Sequence, residues 1–304
     1  MINAMALPPL LAHGSAALKA AVVPRIVRGE AFISLAVSEP GAGSDVAALS
    51  ATAARRADGA YVLNGTKKWI TGCLWAEHFT LAARTGGEGT AGLSLFLVDA
   101  ASPGVTTRRI RTQGGGAHNT GWVFLRDVVL PASRLIGHEG RGFGYLMRNF
   151  NPERWMIAAQ AVRCARACLS EAWAHARVRR TFGAPLLAHG VLRAKLADMA
   201  RRVEAAQALL EAHTHRMATS SPGDDDGLAA SAALLKVHAS VTFEFCAREA
   251  SQIFGGAAVV REGPGRLVER LYREVRATAI PGGAEEILRD LAVRQADRAG
   301  RAKL

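Results

Sequence analysis

Apolar and polar positions change their spacing twice along the chain. Residues 8–28, PPLLAHGSAALKAAVVPRIVR, put apolar side chains on one face of one or two helices, and Gly29 follows as a stop. From Ala31 to about Pro131 the texture is β-prone: AFISLAV, YVLNGTKKWI, FTLAART, LSLFLVD, VTTRRI and GWVFLRDVVL, separated by Gly, Asp and Asn turns. Within it Asn64-Gly65 is a hairpin signal that places Trp69, Ile70 and Thr71 on a returning strand. From Gly142 onward the spacing becomes helical, with amphipathic segments near 142–181, 187–218, 228–255 and 284–299. Between two of them SSPGDDDG, residues 220–227, reads as a solvated turn whose Asp run complements the positive end of the next helix dipole. The organisation is therefore α+β: a helical piece over 1–30, a β domain over 31–135 and a helical domain over 136–304.

Composition narrows the class without naming a chemistry. With 304 residues, 49% of them hydrophobic, and a mean hydropathy near +0.09, the chain can bury a sizeable core and is not a disordered polymer. No apolar run reaches the ~18 residues of a membrane span, and no basic-then-apolar leader opens the chain, so a cytoplasmic location without membrane contact is the expectation. The net charge of +12 comes from Arg spread along helices, with no basic tail or interleaved aromatics, which argues against nucleic acid and leaves room for a polyanionic ligand such as a nucleotide or coenzyme A. Cys73, Cys164, Cys168 and Cys246 form no CxxC pair and read as small core residues with free thiols. His213 and His215 are two apart and would leave a helix on different sides, so no metal site is expected.

Five motifs carry the chemistry. AVSEPGAGSDVAAL (36–49) is a Gly-rich loop with Ser38 and Ser44 hydroxyls, and by itself it reads as a structural turn sooner than as a ligand loop. LNGTKKWITG (63–72) brings Trp69 and Thr71, which alone would be core packing. VRRTFGAPLLAH with KLADM (178–199), ASQIFGGAAVVREGP (250–264) and ATAIPGGAEEILRDLAVRQ (277–295) follow in order. Together they closely resemble the acyl-CoA dehydrogenase family.

That resemblance implies a flavoprotein: a central antiparallel β-barrel-like domain, a C-terminal four-helix bundle, and FAD at the domain junction and across a subunit interface of a homodimer or homotetramer. On this likeness Ser38 hydrogen-bonds the flavin ring, Trp69 and Thr71 pack beside it, and Gly43 and Ser44 line the flavin and coenzyme A side of the loop. Arg179, Thr181 and Phe182 match contacts to the diphosphate and adenosine portion of FAD, where a fixed cation suits phosphate. Gln252, Gly255 and Gly256 match the segment through which a neighbouring subunit touches the cofactor. Without the family context Arg179 is a surface charge and Phe182 a core residue.

The implied reaction removes a proton beside an acyl-CoA thioester and a hydride from the next carbon, with electrons passing to an electron-transfer flavoprotein. Many members carry the base as Glu in a Tyr-Glu-Gly-Thr turn, but here the matching run is Pro281-Gly282-Gly283-Ala284, so neither that carboxylate nor the family's Thr is present. In branched-chain and long-chain type members the Glu instead precedes Arg at the start of a helix. Glu153-Arg154 in NFNPERWMIAAQAV falls on that pattern, making Glu153 the candidate base and Arg154 a group that holds nearby geometry in the substrate pocket. The competing local reading has Asn151 as N-cap, Pro152 at the first helical position and Glu153 complementing the dipole. Gly282 keeps a backbone N–H, and the family uses that position to donate to the thioester oxygen.

The family's first helical domain is expected to be mostly absent, since the chain opens near that domain's end at MINAMALPPLLAHGSAALK. Two other readings follow: a non-catalytic flavin-binding subunit that needs a partner chain, and an oxidase or monooxygenase on the same fold. Acyl length and branching are not legible.

Overall fold

The computed structural model describes residues 2–114, 119–220 and 225–298. The chain forms two compact units, Met1–Phe150 and Asn151–Leu304.

The first unit opens with three helices, α1 (Ile2–Ala6), α2 (Pro8–His13) and α3 (Ala16–Val27). Ser15 caps α3, its hydroxyl accepting from the Leu18 N–H at 3.2 Å. Eight strands follow: β1 (Ile33–Ala36), β2 (Thr52–Arg55), β3 (Tyr61–Ile70), β4 (His78–Arg84), β5 (Leu93–Asp99), β6 (Val105–Arg109), β7 (Gly121–Leu130) and β8 (Leu135–Ile136). They form one sheet in the order β6-β7-β3-β2-β4-β5-β8, with β1 beside β4. Most pairings are antiparallel, as expected, but β4 runs parallel to both β1 and β2. The strand path ends on β6 and β8, which do not pair with each other, so among the described residues the sheet is open where a barrel-like closure was expected.

The continuous apolar run of β5 reflects burial on both faces. Leu93, Leu95 and Leu97 pack with Ile33 and with Leu10, Leu18, Val22 and Ile26 of the opening helices. Phe96 and Val98 point the other way, into Phe79, Leu81, Tyr61, Leu63, Val123 and Val128. The helices are also stitched to the sheet by polar contacts: the Ile33 N–H donates to Asn3 Oδ1 at 3.1 Å and the Thr80 hydroxyl to the Ala6 carbonyl at 2.7 Å.

One local expectation is corrected. Asn64-Gly65 is no hairpin; both residues lie inside the ten-residue β3, at a register shift against β7. The Asn64 side chain is taken up by Asp127 on β7, accepting from its N–H at 2.9 Å and donating to its carboxylate at 3.0 Å. A Cβ on Gly65 would stand 2.6 Å from the Cβ of Ala51. The glycine serves a bulge and a close approach of β2 rather than a turn.

Helix α4 (Gly142–Val178) begins in the first unit and continues into the second. The second unit adds a short hairpin, β9 (Arg180–Thr181) and β10 (Ala184–Pro185), then α5 (Gly190–Thr219), α6 (Asp225–Phe254), α7 (Arg266–Ala279) and α8 (Glu285–Arg298). The acidic linker expected over 220–227 lies partly outside the described residues, at 221–224, and α6 takes up its end. On α4, Ala158, Ala161, Ala165, Cys168, Ala172 and Ala176 form a buried ridge at three- and four-residue spacing, against Leu196, Met199 and Val203 of α5 and Leu235, Phe243 and Cys246 of α6. The thiols are free, and burial pushes that of Cys246 up to about 12. Among the described residues no helix is long and apolar enough to cross a membrane.

Candidate functional site

The residues singled out by sequence fall into four groups, one in the first unit and three in the second. In the first unit Glu39–Ala42 closes a tight turn through reciprocal backbone bonds of 2.9 and 3.2 Å. The loop is tied to β3 by the Lys68 N–H, which donates to the Ser38 carbonyl at 2.9 Å. Ser38 is thereby held next to the end of the strand that carries Trp69 and leads into Thr71. Trp69 sits at a second register shift with φ of 66°, and its ring is 52% exposed although it follows a fully buried Lys67. The Lys68 ammonium lies 4.2 Å from the Trp69 ring centre and 4.5 Å from that of Trp122, a cation resting on two indoles. Gly43, Ser44 and Thr71 are exposed, and nothing stands within 4 Å of where a Gly43 Cβ would be. This edge presents an indole, three hydroxyls and open backbone.

Beneath it is a buried ion pair that sequence reasoning missed. Lys67 Nζ donates to Glu39 Oε1 at 2.7 Å and to the Val37 carbonyl at 3.0 Å. Glu39 also accepts from the Ser50 N–H and hydroxyl, both at 2.7 Å, and from the Ala51 N–H at 3.0 Å. Burial raises the Glu39 carboxyl, but Lys67 and Ser50 together outweigh it and hold the group below its usual range. Burial likewise pulls the Lys67 ammonium down against the attraction of Glu39.

In the second unit Glu153 and Arg154 are 5% and 7% exposed. Helix α4 begins at Gly142, so Asn151 is not an N-cap, Pro152 lies inside the helix, and Glu153 is not at a helix start. The dipole reading of Glu153 is thereby removed, and so is the expectation that this Glu opens a helix. Arg154 Nε donates to the Gly282 carbonyl at 3.1 Å and Nη1 to Asn151 Oδ1 at 2.9 Å. Burial pulls the guanidinium down while the charge of Glu153 pulls it back up. Gly282 has φ of 71° in the turn between α7 and α8, and a Cβ there would stand 2.8 Å from Ile157 Cδ1 and 3.8 Å from Arg154 Cγ. Ile157 lies one turn beyond Glu153 on α4, so the face of the helix that carries Glu153 is the one that meets Gly282.

The same turn is also held by Lys236, the second residue missed. It is fully buried on α6, and its ammonium donates to the carbonyls of Ala279 and, at 2.8 Å, Gly283.

Phe182 and Arg179 belong to the β9–β10 hairpin. Phe182 has φ of 50° and is 98% exposed, so it is not a core residue. Arg179 is exposed, its carbonyl accepting from the Leu186 N–H at 2.8 Å, and the Thr181 hydroxyl lies 3.4 Å from His189 Nε2. At the end of α6 Gln252, Gly255 and Gly256 are exposed while Ile253 and Phe254 between them are buried, Phe254 stacking on His175 at 4.1 Å. Both groups present backbone and side chains outward.

Residues 34–128 match the acyl-CoA dehydrogenase middle domain, and residues 140–296 match the acyl-CoA dehydrogenase C-terminal domain. An acyl-CoA dehydrogenase of Emericella nidulans is 38% identical over 95% of this chain, which covers 66% of that relative's length. Cyclohexane-1-carbonyl-CoA dehydrogenase of Geobacter metallireducens is 36% identical, with 97% of this chain and 76% of the relative aligned. The solved structure of butyryl-CoA dehydrogenase from Megasphaera elsdenii superimposes with a TM-score of 0.90 at 29% identity, covering 96% of this chain and 75% of that one. The chain thus spans about two thirds to three quarters of the length of these relatives, and its sheet unit, its helical unit and the motifs in each agree on one conclusion: it belongs to the acyl-CoA dehydrogenase family.

Proposed function

We propose that this chain carries out FAD-dependent α,β-dehydrogenation of an acyl-CoA thioester with Glu153 as the base, at the position used by branched-chain and long-chain type members. The observation that carries the reading is the meeting of α4 with the Gly282 turn. Where many members hold a carboxylate, this chain has glycine, and the helix packed on that glycine brings a buried Glu153-Arg154 pair.

FAD is the cofactor that membership implies, and the chain's own groups suit it. The exposed indole of Trp69 with the Ser38 and Thr71 hydroxyls suits a planar ring with hydrogen-bonding edges. The exposed Arg179 on the hairpin suits a diphosphate. Gly43 and Ser44 extend the ring-side loop toward the coenzyme A portion, Thr181 and Phe182 flank the adenosine portion, and Gln252, Gly255 and Gly256 are the surface for a second copy's cofactor in a homodimer or homotetramer. When bound, FAD supplies the acceptor for the hydride that leaves the β carbon. Glu153 takes the α proton, and its burial excludes water that would compete for that proton. Arg154 holds the Gly282 carbonyl, on the peptide next to the one whose N–H donates to the thioester oxygen as charge develops there, and so steadies the turn. An electron-transfer flavoprotein is the partner that removes the electrons.

The test is anaerobic mixing of the FAD-loaded protein with a panel of acyl-CoA thioesters, followed by flavin absorbance. The parent bleaches, and Glu153→Gln retains FAD but bleaches roughly 10²- to 10⁴-fold more slowly. A Glu153→Gln protein that bleaches at the parent rate removes Glu153 from the mechanism.

A further inference from the structure

The turn that carries Gly282 has no side chain to anchor it at its centre, yet three of its carbonyls are held. Arg154 on α4 takes the Gly282 carbonyl at 3.1 Å. Lys236 on α6 takes the carbonyls of Ala279 and Gly283, one on each side of Gly282. Ala279 is the last residue of α7, so its carbonyl is one of those a helix end leaves without an internal partner, at the negative end of the dipole. Lys236 lies twelve residues into α6 among Ala232, Ala233, Leu235 and Ala239, all fully buried.

A lysine in such a place is costly. Burial pulls its ammonium down to about 8, the charges of Arg154 on α4 and Arg276 on α7 press the same way, and Glu285 and Glu286 at the start of α8 pull it back. Among the described residues no carboxylate hydrogen-bonds it directly; its bonds go to carbonyls. A methionine would fill the same space without a charge. What the ammonium does that methionine would not is bind both carbonyls that bracket Gly282.

We propose that Lys236 is a positioning residue for the thioester: by holding the Ala279 and Gly283 carbonyls, which lie before and after the Pro281–Gly282 peptide, it fixes the ends of the turn, so that the Gly282 N–H is pre-set for the thioester oxygen. The inference rests on the reading of Gly282 as that donor. It adds a residue that never touches substrate and acts only through the turn. Preset donors are effective because they need no reorganisation when charge develops, and a displacement on the order of 1 Å is enough to cost about a hundredfold.

The experiment compares two coenzyme A ligands that cannot turn over, bound to the FAD-loaded full chain and read by flavin absorbance. One is an acyl-CoA thioester with sulfur in place of the β carbon. The other is the matching thioether, which lacks the carbonyl oxygen. In the parent the thioester binds more tightly. In Lys236→Met that preference falls roughly ten- to a hundredfold, while thioether affinity and FAD content stay within about twofold. An equal loss for both ligands makes Lys236 merely structural and overturns the proposal; an unchanged preference overturns it as well. A parent with no preference overturns the Gly282 reading itself, so the two failures are distinct. Neither ligand can pass a hydride, and parent and variant carry the same Glu153, so the comparison between them isolates the change at Lys236.

If Lys236→Met does not fold, Lys236→Gln supplies the test: its shorter side chain cannot replace the ammonium on both carbonyls, so the thioester preference again falls while thioether affinity stays within about twofold, and an unchanged preference overturns the proposal. The coenzyme A phosphates and the surrounding Arg154, Arg276, Glu285 and Glu286 act on both ligands alike and cancel in the ratio.

Discussion

Two lysines with no solvent exposure hold the two loops that bear the proposed chemistry, and they do it with different partners. Lys67 in the sheet unit meets a carboxylate, Glu39, which is itself tied to the Ser50 and Ala51 amides. Among the described residues Lys236 in the helical unit hydrogen-bonds only two backbone carbonyls. The first arrangement is a closed network of opposite charges beneath the Ser38–Ser44 loop, and each charge needs the other. The second is an open one, in which a cation stabilises a helix end and a glycine turn without a neutralising bond. The difference predicts that the sheet loop is held mainly by electrostatic necessity and the glycine turn mainly by geometry.

The largest break comes from removing one half of the closed network. Lys67→Met strands a buried carboxylate, and urea unfolding should show a loss of about 3–5 kcal/mol. Adding Glu39→Gln should recover part of it, since the amide is neutral and its one oxygen still accepts from the Ser50 N–H and hydroxyl, while its NH2 replaces the acceptor that faced Ala51. Lys236→Met, by contrast, strands only neutral carbonyls and takes a charge out of the interior, so its loss should be on the order of 1 kcal/mol. Equal losses for the two single variants would erase the distinction.

Acidity sharpens the comparison next. The folded-state value of Lys236, about 8, lies below the ordinary lysine value of 10.5. Between those limits the unfolded chain holds a proton that the folded chain has lost, so this lysine's contribution to stability rises with pH, by at most about 1.4 kcal/mol per unit. It is fully present above the unfolded value and lost as pH falls through the folded one. The buried thiols oppose it: the Cys73 and Cys246 groups are held at about 11 and 12, so folded chains keep protons there that unfolded chains release. The readout is therefore the difference between parent and Lys236→Met in urea unfolding, which should grow in the parent's favour from pH 8 to 10.

Much of this was visible in the sequence, and the rest was hidden for identifiable reasons. The residue runs of β3, β4, β5 and β7 emerge nearly to the residue, because each carries its own apolar pattern. The motifs located the Ser38 loop, the Glu153-Arg154 pair and the Gly282 turn. Asn64-Gly65 was misread because a bulge and a hairpin share the same dipeptide; only Asp127, 63 residues away, decides between them. Lys67 keeps the two-residue phase of the buried Tyr61 and Leu63, so its inward position was legible but its charge argued against it; only Ile70, beyond the next register shift, changes phase. Helix α7 went unrecognised although Val268, Leu271, Val275 and Ala279 repeat at helical spacing, because Arg266, Arg270, Arg273 and Arg276 dominate its composition. Lys236 had one legible signal, a lone charge inside the apolar face AALLKVHAS, but its carbonyl partners lie 43 and 47 residues on and had no signature.

The smallest effect on ligand preference is expected at Gly282 itself. Its φ of 71° lies in the left-handed region, so Gly282→Ala should cost about 1–2 kcal/mol from backbone preference. The new Cβ meets only the terminal Cδ1 of Ile157, the far end of a side chain that can rotate away, so packing adds little. The carbonyl bonds from Arg154 and Lys236 involve backbone and survive the change. Thermal melts should therefore show a modest loss with FAD retained and with the thioester preference close to the parent's. A loss of thioester preference as large as that of Lys236→Met, at so small a stability cost, would mean that the turn is set by the glycine's own freedom and not by the two cations that grip its carbonyls.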